Sequence, residues 1–271
     1  MGLRVNTNIF SLTAQRNLNN VTARLQGNFS RLSSGLRIAT AADDAAGLGI
    51  SERMRSQIRS LGAASRNAQD GISLVQTAES ALSETGSNLA RMRELAVQAS
   101  SGTLNTTDRT TINSEFTALA TEITRIADQT EFNGISLLNN TTSIAIQVGV
   151  DSGDTISLAN TDNDATSLAI NTLTTTTATN AQAALAALDT AIDSVSTSRG
   201  TLGATQNRLQ STFRSILGAS ENLSAAESRI RDVDVAFETA DLTRNSILQQ
   251  ASVSILSQAN VQPQLALSLL G

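Results

Sequence analysis

The chain has 271 residues, 24 of them acidic and 19 basic, and every basic residue is an arginine. Cys, His, Trp, Tyr and Lys are absent, so no disulfide forms and neither a zinc site nor a His- or Cys-based hydrolytic centre can be completed. A net charge of −5 and six Phe as the only aromatics offer neither the basic face nor the stacking rings of a nucleic-acid binder, and they leave packing to aliphatic side chains.

A single Pro and abundant Ala, Leu, Gln, Arg and Ser favour long helices, which places the chain in the mainly α class. No run of eighteen apolar residues exists, so no membrane insertion is expected. The opening MGLRVNTNIFSLTAQ lacks the apolar core of a cleavable signal peptide, so export is expected to leave the N-terminus uncut.

The first helix is written by Leu18, Val21, Leu25, Phe29, Leu32 and Leu36, at spacings of three, four, four, three and four. That is the period of a straight helix rather than a left-handed supercoil. Residues 5–15, with Val5, Ile9 and Leu12, carry no charge. Asp43 and Asp44 then precede AAGLGISERM; acids there suit a helix start, accepting backbone N–H bonds, better than a catalytic or metal-binding pair.

Met54, Leu61, Ala68, Val75, Leu82, Leu89 and Ala96 recur every seven residues, with Ile58 and Ile72 beside them, and mark a long rod. SGTLNTTD at 101–108 is a turn, with Gly102 suited to a helix C-terminus and Thr107 or Asp108 to the next N-cap. A shorter helix follows on Ile112, Phe116, Leu119, Ile123 and Ile126. From Ile144 to Val150 and again at Ile156 and Leu158 the period drops to two, predicting a β-hairpin around Asp151 to Asp154. The acids at 151, 154, 162 and 164 lack calcium-loop spacing and read as solvated turn residues. NTDNDATS and NTLTTTTATN read as surface loops.

A second heptad ladder runs through Leu188, Val195, Leu202, Leu209, Ile216, Leu223, Ile230 and Phe237, with Ile192 and Phe213 as part of a second row. One helix over 188–237 would be a rod of about 75 Å. Gly200 and Gly203 within it suggest close helix approach. Three rods with one apolar seam each bury those seams only against one another, so an antiparallel coiled-coil bundle is expected, its core holding Leu61, Val75, Leu82, Leu89, Phe116, Ile123, Leu202, Leu209, Ile216, Leu223 and Ile230.

From Asn245 to the end no side chain is charged, and Leu248, Ala251, Ile255, Leu265 and Leu269 lie in a stretch rich in Gln and Ser. The two charge-poor ends are natural helical partners. Their neutral character surrounds each helix, so a lone pair leaves much of its surface uncovered and is expected to order only among other copies.

The stretch SRLSSGLRIATAADDAAGLGISERMRSQIRSLGAASRNAQDGISLVQTAE at 30–79 resembles the N-terminal signature of bacterial flagellins. LARMRELAVQ at 89–98, QTEFNG at 129–134, RGTLGATQNRL at 199–209 and the tail from Glu221 to Leu270 resemble the family's other segments in collinear order. The resemblance implies a filament subunit exported unfolded through the flagellum's own channel. It implies partners beyond sibling copies: an export apparatus, a chaperone, a filament cap and hook–filament junction proteins. It implies no cofactor and no enzymatic activity. Residues 1–42 and 232–271 would form the inner tube, 43–139 and 177–231 the rod domain, and 140–176 a reduced central region. The absence of Lys departs from the family pattern.

The alternatives are a hook–filament junction protein, which shares similar ends, and an intracellular coiled-coil adaptor, which leaves the uncharged ends unexplained. Leu95 stands about 100° from Ala96 on the helix and is expected to face away from the rod seam. The resemblance adds that a Toll-like innate immune receptor binds the family through an arginine, a leucine and a glutamate that match Arg91, Leu95 and Glu115. Asn140-Thr141-Thr142 is formally a glycosylation triplet and reads as a turn.

Overall fold

The computed structural model describes residues 7–268, with side chains as far as Gln262. It is mainly helical: α1 (Ile9–Ser34), α2 (Ala45–Ser100), α3 (Thr106–Gln129), β1 (Glu131–Phe132), β2 (Ile135–Ser136), β3 (Ile144–Gln147), β4 (Thr155–Leu158), α4 (Ala178–Arg231) and α5 (Val235–Ser268). The chain divides into two compact units, Gln57–Glu221 and Met1–Ser56 with Asn222–Gly271, and α2 and α4 contribute to both.

In the unit of residues 57–221, α3 runs antiparallel to α2. Arg91 pairs with Glu115 at 2.9 Å, and Arg109 Nε donates to the Ala99 carbonyl at 2.9 Å. α4 is also antiparallel to α2, with Arg93 bound to Asp189 at 2.6 Å. The heptad residues Leu61, Val75, Leu82, Leu89, Leu202, Leu209 and Ile216 are buried, as are Phe116 and Ile123 of α3. A second row beside them was hard to read as apolar, because apart from Met92 small residues fill it: Ala78, Thr85 and Ala99 on α2, and Ala184, Ala191, Ser198 and Thr205 on α4. Ile192 and Phe213 are only half-buried. On α3 the face runs through Ala120 and Ala127, with Leu119 and Ile126 half-buried.

Close approach occurs at a glycine other than those expected. A Cβ on Gly71 would meet Ile146 Cδ1 at 2.6 Å and Leu209 Cδ1 at 3.3 Å, whereas one on Gly200 or Gly203 meets nothing within 4 Å. Gly71 therefore lets the hairpin strand β3 press onto α2. The hairpin itself is as expected, with Gln147 opposite Thr155 and Ile144 opposite Leu158, and Gly153 takes a left-handed φ of 96° in its turn. Its first strand is shorter, since Val148 and Val150 lie beyond β3. β1 and β2 form a second, smaller hairpin around Asn133 and Gly134, both at positive φ, the geometry of a tight turn.

Three expectations are corrected. The N-cap of α3 is Asn105, not Thr107 or Asp108; Asp108 closes a capping box from the third helical position. The segments after β4 are not simple surface loops, because Asn160, Asn163, Ala165, Leu168, Ile170 and Thr175 are buried. Their polar groups are satisfied within the segment and by α3: Asn163 donates to Thr161 O at 2.7 Å, and Thr175 N–H donates to Asn113 Oδ1 of α3 at 2.7 Å.

The last rod is also not one helix to 237. α4 ends at Arg231, and Asp234 restarts α5 by accepting from Phe237 N at 3.1 Å, which leaves Phe237 exposed. An Asp side chain that captures backbone N–H groups competes with helix continuation. Leu223 and Ile230, near that end, are half-buried rather than core.

Candidate functional site

In the unit built from both chain ends, α1 and α5 pack along each other. They run antiparallel: Asn8 Nδ2 donates to Ala259 O at 2.7 Å near one end, and Asn28 Nδ2 donates to Glu238 Oε1 at 2.8 Å near the other. Asn8 also caps α1 by accepting from Ser11 N at 3.1 Å. α1 closes at Gly35, whose φ of 72° lets its N–H reach Arg31 O at 2.9 Å. Leu36, expected as the last rung of this helix, lies past the cap and bridges to Asp232 instead.

The covered positions of α1 include Ser11, Ala14, Leu18, Val21, Leu25, Asn28 and Leu32, alternating by three and four, with Thr22, Gly27 and Arg31 half-buried beside them. Those of α5 include Glu238, Leu242, Asn245, Gln249, Ser252, Leu256 and Ala259, with the same alternation, and Asp241 and Ser246 are half-buried beside them. This is the heptad period of a supercoiled pair, not the straight-helix period read from the sequence. The difference is one residue. Asn28 turns inward, 4 % exposed, and Phe29 turns outward, 60 % exposed.

Asn28, Glu238 and Asn245 form a buried polar set. Asn245 Nδ2 donates to Asn28 Oδ1 at 3.1 Å, and Arg31 reaches Glu238 at 3.4 Å. The large apolar residues of these helices stand outside the seam: Ile9, Phe10, Leu12 and Phe29 on α1, and Ile247, Leu248, Val253, Ile255 and Val261 on α5, are all exposed. Leu25 is buried, Leu18, Val21 and Leu32 are half-buried, and Ala251 is exposed. Leu265 lies on α5 beyond the described side chains, and Val5 and Leu269 lie outside the described residues. The pair thus buries a mixed, partly polar seam and presents its greasiest side chains to the outside.

The segment after α1 is zipped to the break before α5. Arg37 N donates to Arg231 O at 2.6 Å, Arg37 Nη2 donates to Ile230 O at 2.6 Å, and Val233 N donates to Gly35 O at 3.0 Å. Arg231 is buried and its Nη1 donates to Glu52 Oε1 at 2.7 Å. Asp44 accepts from Gly47 N at 2.9 Å, as expected for a helix start. Asp43 instead closes the 39–43 turn. The Thr40 N–H and hydroxyl that it accepts hold its carboxyl below the usual range.

In the other unit, Arg91 donates to Glu115 Oε1 and to Glu94 Oε2, each at 3.0 Å, and all three are exposed. Those bonds, that to Glu115 foremost, raise the guanidinium pKa. Leu95 does not face away from the core; it is 2 % exposed. α2 has α3 on one side and α4 on the other, so its buried stripe is wide, and a residue one turn after Arg91 falls under the α3 side of it.

Among the described residues no group of three acidic side chains is placed to hold a metal ion. Asp154 and Asp164 accept turn N–H groups from Asp151 and Ser167, and Asn140 accepts from Thr142 N at 2.8 Å. No described helix is long and apolar enough to cross a membrane.

Residues 5–143 match the model of the bacterial flagellin N-terminal helical region, and residues 185–270 match that of the flagellin C-terminal helical region. The chain belongs to the flagellin family. A flagellin of Halalkalibacterium halodurans is 51% identical across 98% of this chain and 99% of its own, and one of Bacillus subtilis is 45% identical across 99% and 100%. The crystal structure of Bacillus cereus flagellin, 38% identical, superposes with a TM-score of 0.52 over 60% of this chain and 94% of that one. A putative flagellar hook-associated protein from Vibrio parahaemolyticus, 13% identical, shares the fold alone, with a TM-score of 0.60 over 70% and 100%.

This flagellin is a structural subunit of the bacterial flagellar filament, the motility organelle exposed outside the cell, and it polymerises with its own kind. Whole-length identity to flagellins, rather than the shared fold, separates it from the junction-protein and adaptor alternatives.

Proposed function

We propose that polymerisation runs through the outward apolar face of the α1/α5 pair. Residues 1–42 and 232–271 line the innermost tube, residues 43–139 and 177–231 form the rod shell around it, and 140–176 is the reduced central region. The observation that carries this reading is the exposure of Phe10, Phe29, Ile247 and Ile255, each about two-thirds open. Burying one such side chain contributes roughly 1.5–3 kcal/mol, so several per subunit supply a strong drive to associate. Repeated head-to-tail contacts between identical subunits build an open helical polymer.

Before assembly the same face needs a chaperone and an export apparatus that passes the chain with its N-terminus uncut. After export, a filament cap and the hook–filament junction proteins meet it at the two ends of the polymer. Deletion of residues 250–271 tests the assignment. The expected product is a helical, soluble monomer that does not extend filament seeds, and unchanged growth overturns it.

Arg91 and Glu115 support a second, narrower reading, recognition of the shed monomer by a Toll-like receptor. Both are exposed and already oriented by their ion pair. Leu95 contributes to the patch only through the packing beneath it, so its truncation is expected to destabilise the rod by about 2–5 kcal/mol. Arg91→Ala and Glu115→Ala, which leave the core intact, are the cleaner variants. Undiminished receptor signalling by both excludes the patch.

A further inference from the structure

Charge is spread unevenly over the two terminal helices. Residues 1–42 hold five arginines, Arg4, Arg16, Arg24, Arg31 and Arg37, and no acid. Ile9, Arg16, Arg24 and Arg31 follow at spacings of seven, eight and seven, which puts them on one side of α1. Arg31 reaches Glu238. Arg16 and Arg24 are exposed and, among the described residues, have no acidic partner. Their own α5 cannot supply one. The hydrogen bonds Asn8 to Ala259 and Asn245 to Asn28 fix the register of the pair, and Arg16 and Arg24 lie between Asn8 and Asn28. They therefore stand alongside residues 246–258, where no side chain is charged.

The matching acids lie elsewhere on α5. Asp234, Asp241, Leu248 and Ile255 recur every seven residues and form one stripe along the helix. Asp234 is exposed, and its capping bonds use Oδ1 alone. Asp241 pairs with Arg244 at 2.8 Å on the surface, the kind of ion pair that contributes little and is readily exchanged. Leu248 and Ile255 are exposed. When α5 of one copy runs antiparallel along α1 of another, the two stripes agree in order and spacing: Asp234 falls on Arg24, Asp241 on Arg16 and Leu248 on Ile9. That match slides α5 by roughly thirteen residues from the register inside the subunit, or about 20 Å.

We propose that neighbouring copies lock at this stagger, the Asp234–Asp241–Leu248 stripe of one seated on the Arg24–Arg16–Ile9 stripe of the next. The inference rests on the reading of the outward face as the polymerisation surface. It adds what sets the axial offset: apolar side chains drive association, and the charges select the register, because other offsets bury Arg16 and Arg24 against neutral residues.

The test is seeded elongation of the full-length protein. Arg16→Glu and Asp241→Arg are each expected to slow it about tenfold or more. The two together, grown on seeds of the same double variant, are expected to return within about threefold of the wild-type rate. Arg244→Ala, which removes only the internal partner of Asp241, is expected to elongate normally. Single variants that elongate at the wild-type rate overturn the stagger, as do slowed single variants that the charge swap does not restore. If a reversal unfolds the terminal pair, a double-mutant cycle of Arg16→Gln and Asp241→Asn decides, and strictly additive slowing overturns the pairing. Deletion of residues 250–271 separates the two readings: normal growth of the charge variants beside a deletion that does not grow removes the stagger alone, whereas growth of both removes the polymerisation face as well.

Discussion

Glu52 is half open to water, while its partner Arg231 is almost closed off from it. The hydrogen bond from Arg231 is the main reason the Glu52 carboxyl titrates below its ordinary 4.5, with burial opposing the shift. Asp189 is held below 3.8 in the same way by Arg93. A depressed carboxylate adds stability above its unfolded pKa and loses that addition as pH falls through the folded value. Glu52→Gln is therefore expected to melt below the wild type at neutral pH, with a gap that is constant above about pH 4.5 and closes in more acid solution. Thermal melts of the monomer from pH 3 to 7 check it; a gap that persists at pH 3 contradicts the ion-pair account.

The same scale shows what single residues hid. Asn28 and Phe29 are neighbours, and hydrophobicity alone assigns the seam to Phe29. Only the supercoil period selects Asn28. Leu95 was misplaced because an angle from one seam says nothing about a second neighbouring helix.

At the scale of elements, the two long rods were legible because their large aliphatic residues recur every seven positions. Their second rows were not, since Ala, Ser and Thr carry no periodic hydrophobic signal even where they are buried. Glycine divides in the same way, and space rather than sequence decides its role. Gly71→Val is expected to destabilise the rod unit by about 1–3 kcal/mol through overpacking against Ile146, with partial recovery in the Ile146→Val background. Gly200→Ala and Gly203→Ala, with open space at each Cβ, are expected to stabilise it by about 0.5–1 kcal/mol each. Denaturant midpoints of the monomers measure both, and a stabilising Gly71→Val contradicts the close approach.

The break at 232–234 was invisible for a different reason: the heptad pattern runs across it to Phe237, and a single capping Asp outweighs it. Loop composition misled as well. NTDNDATS looks solvated, yet its asparagines are buried because other groups satisfy them: Asn160 donates to the Ser136 carbonyl, and Asn163 donates to Thr161 and accepts from the Ser198 hydroxyl.

For the whole molecule, the charge-free ends were the most informative feature of the sequence, since they mark surface that no single chain covers. How the ends share that surface between seam and exterior depends on the rotation of two helices, which composition does not encode. Ile247→Asp with Ile255→Asp is expected to leave the monomer's melting temperature within about 1 °C, since neither side chain is buried, while abolishing seeded elongation. Sedimentation of seeded reactions reads the outcome, and normal pelleting of the double variant assigns the contact elsewhere.

The zipper between residues 35–38 and 230–233 carries a mechanical meaning. Because backbone bonds and Arg37 stitch the two linkers together, a pull on either terminal helix is shared by both covalent crossings rather than borne by one. A doubled strap with a crosswise stitch spreads a load that a single linker would carry alone.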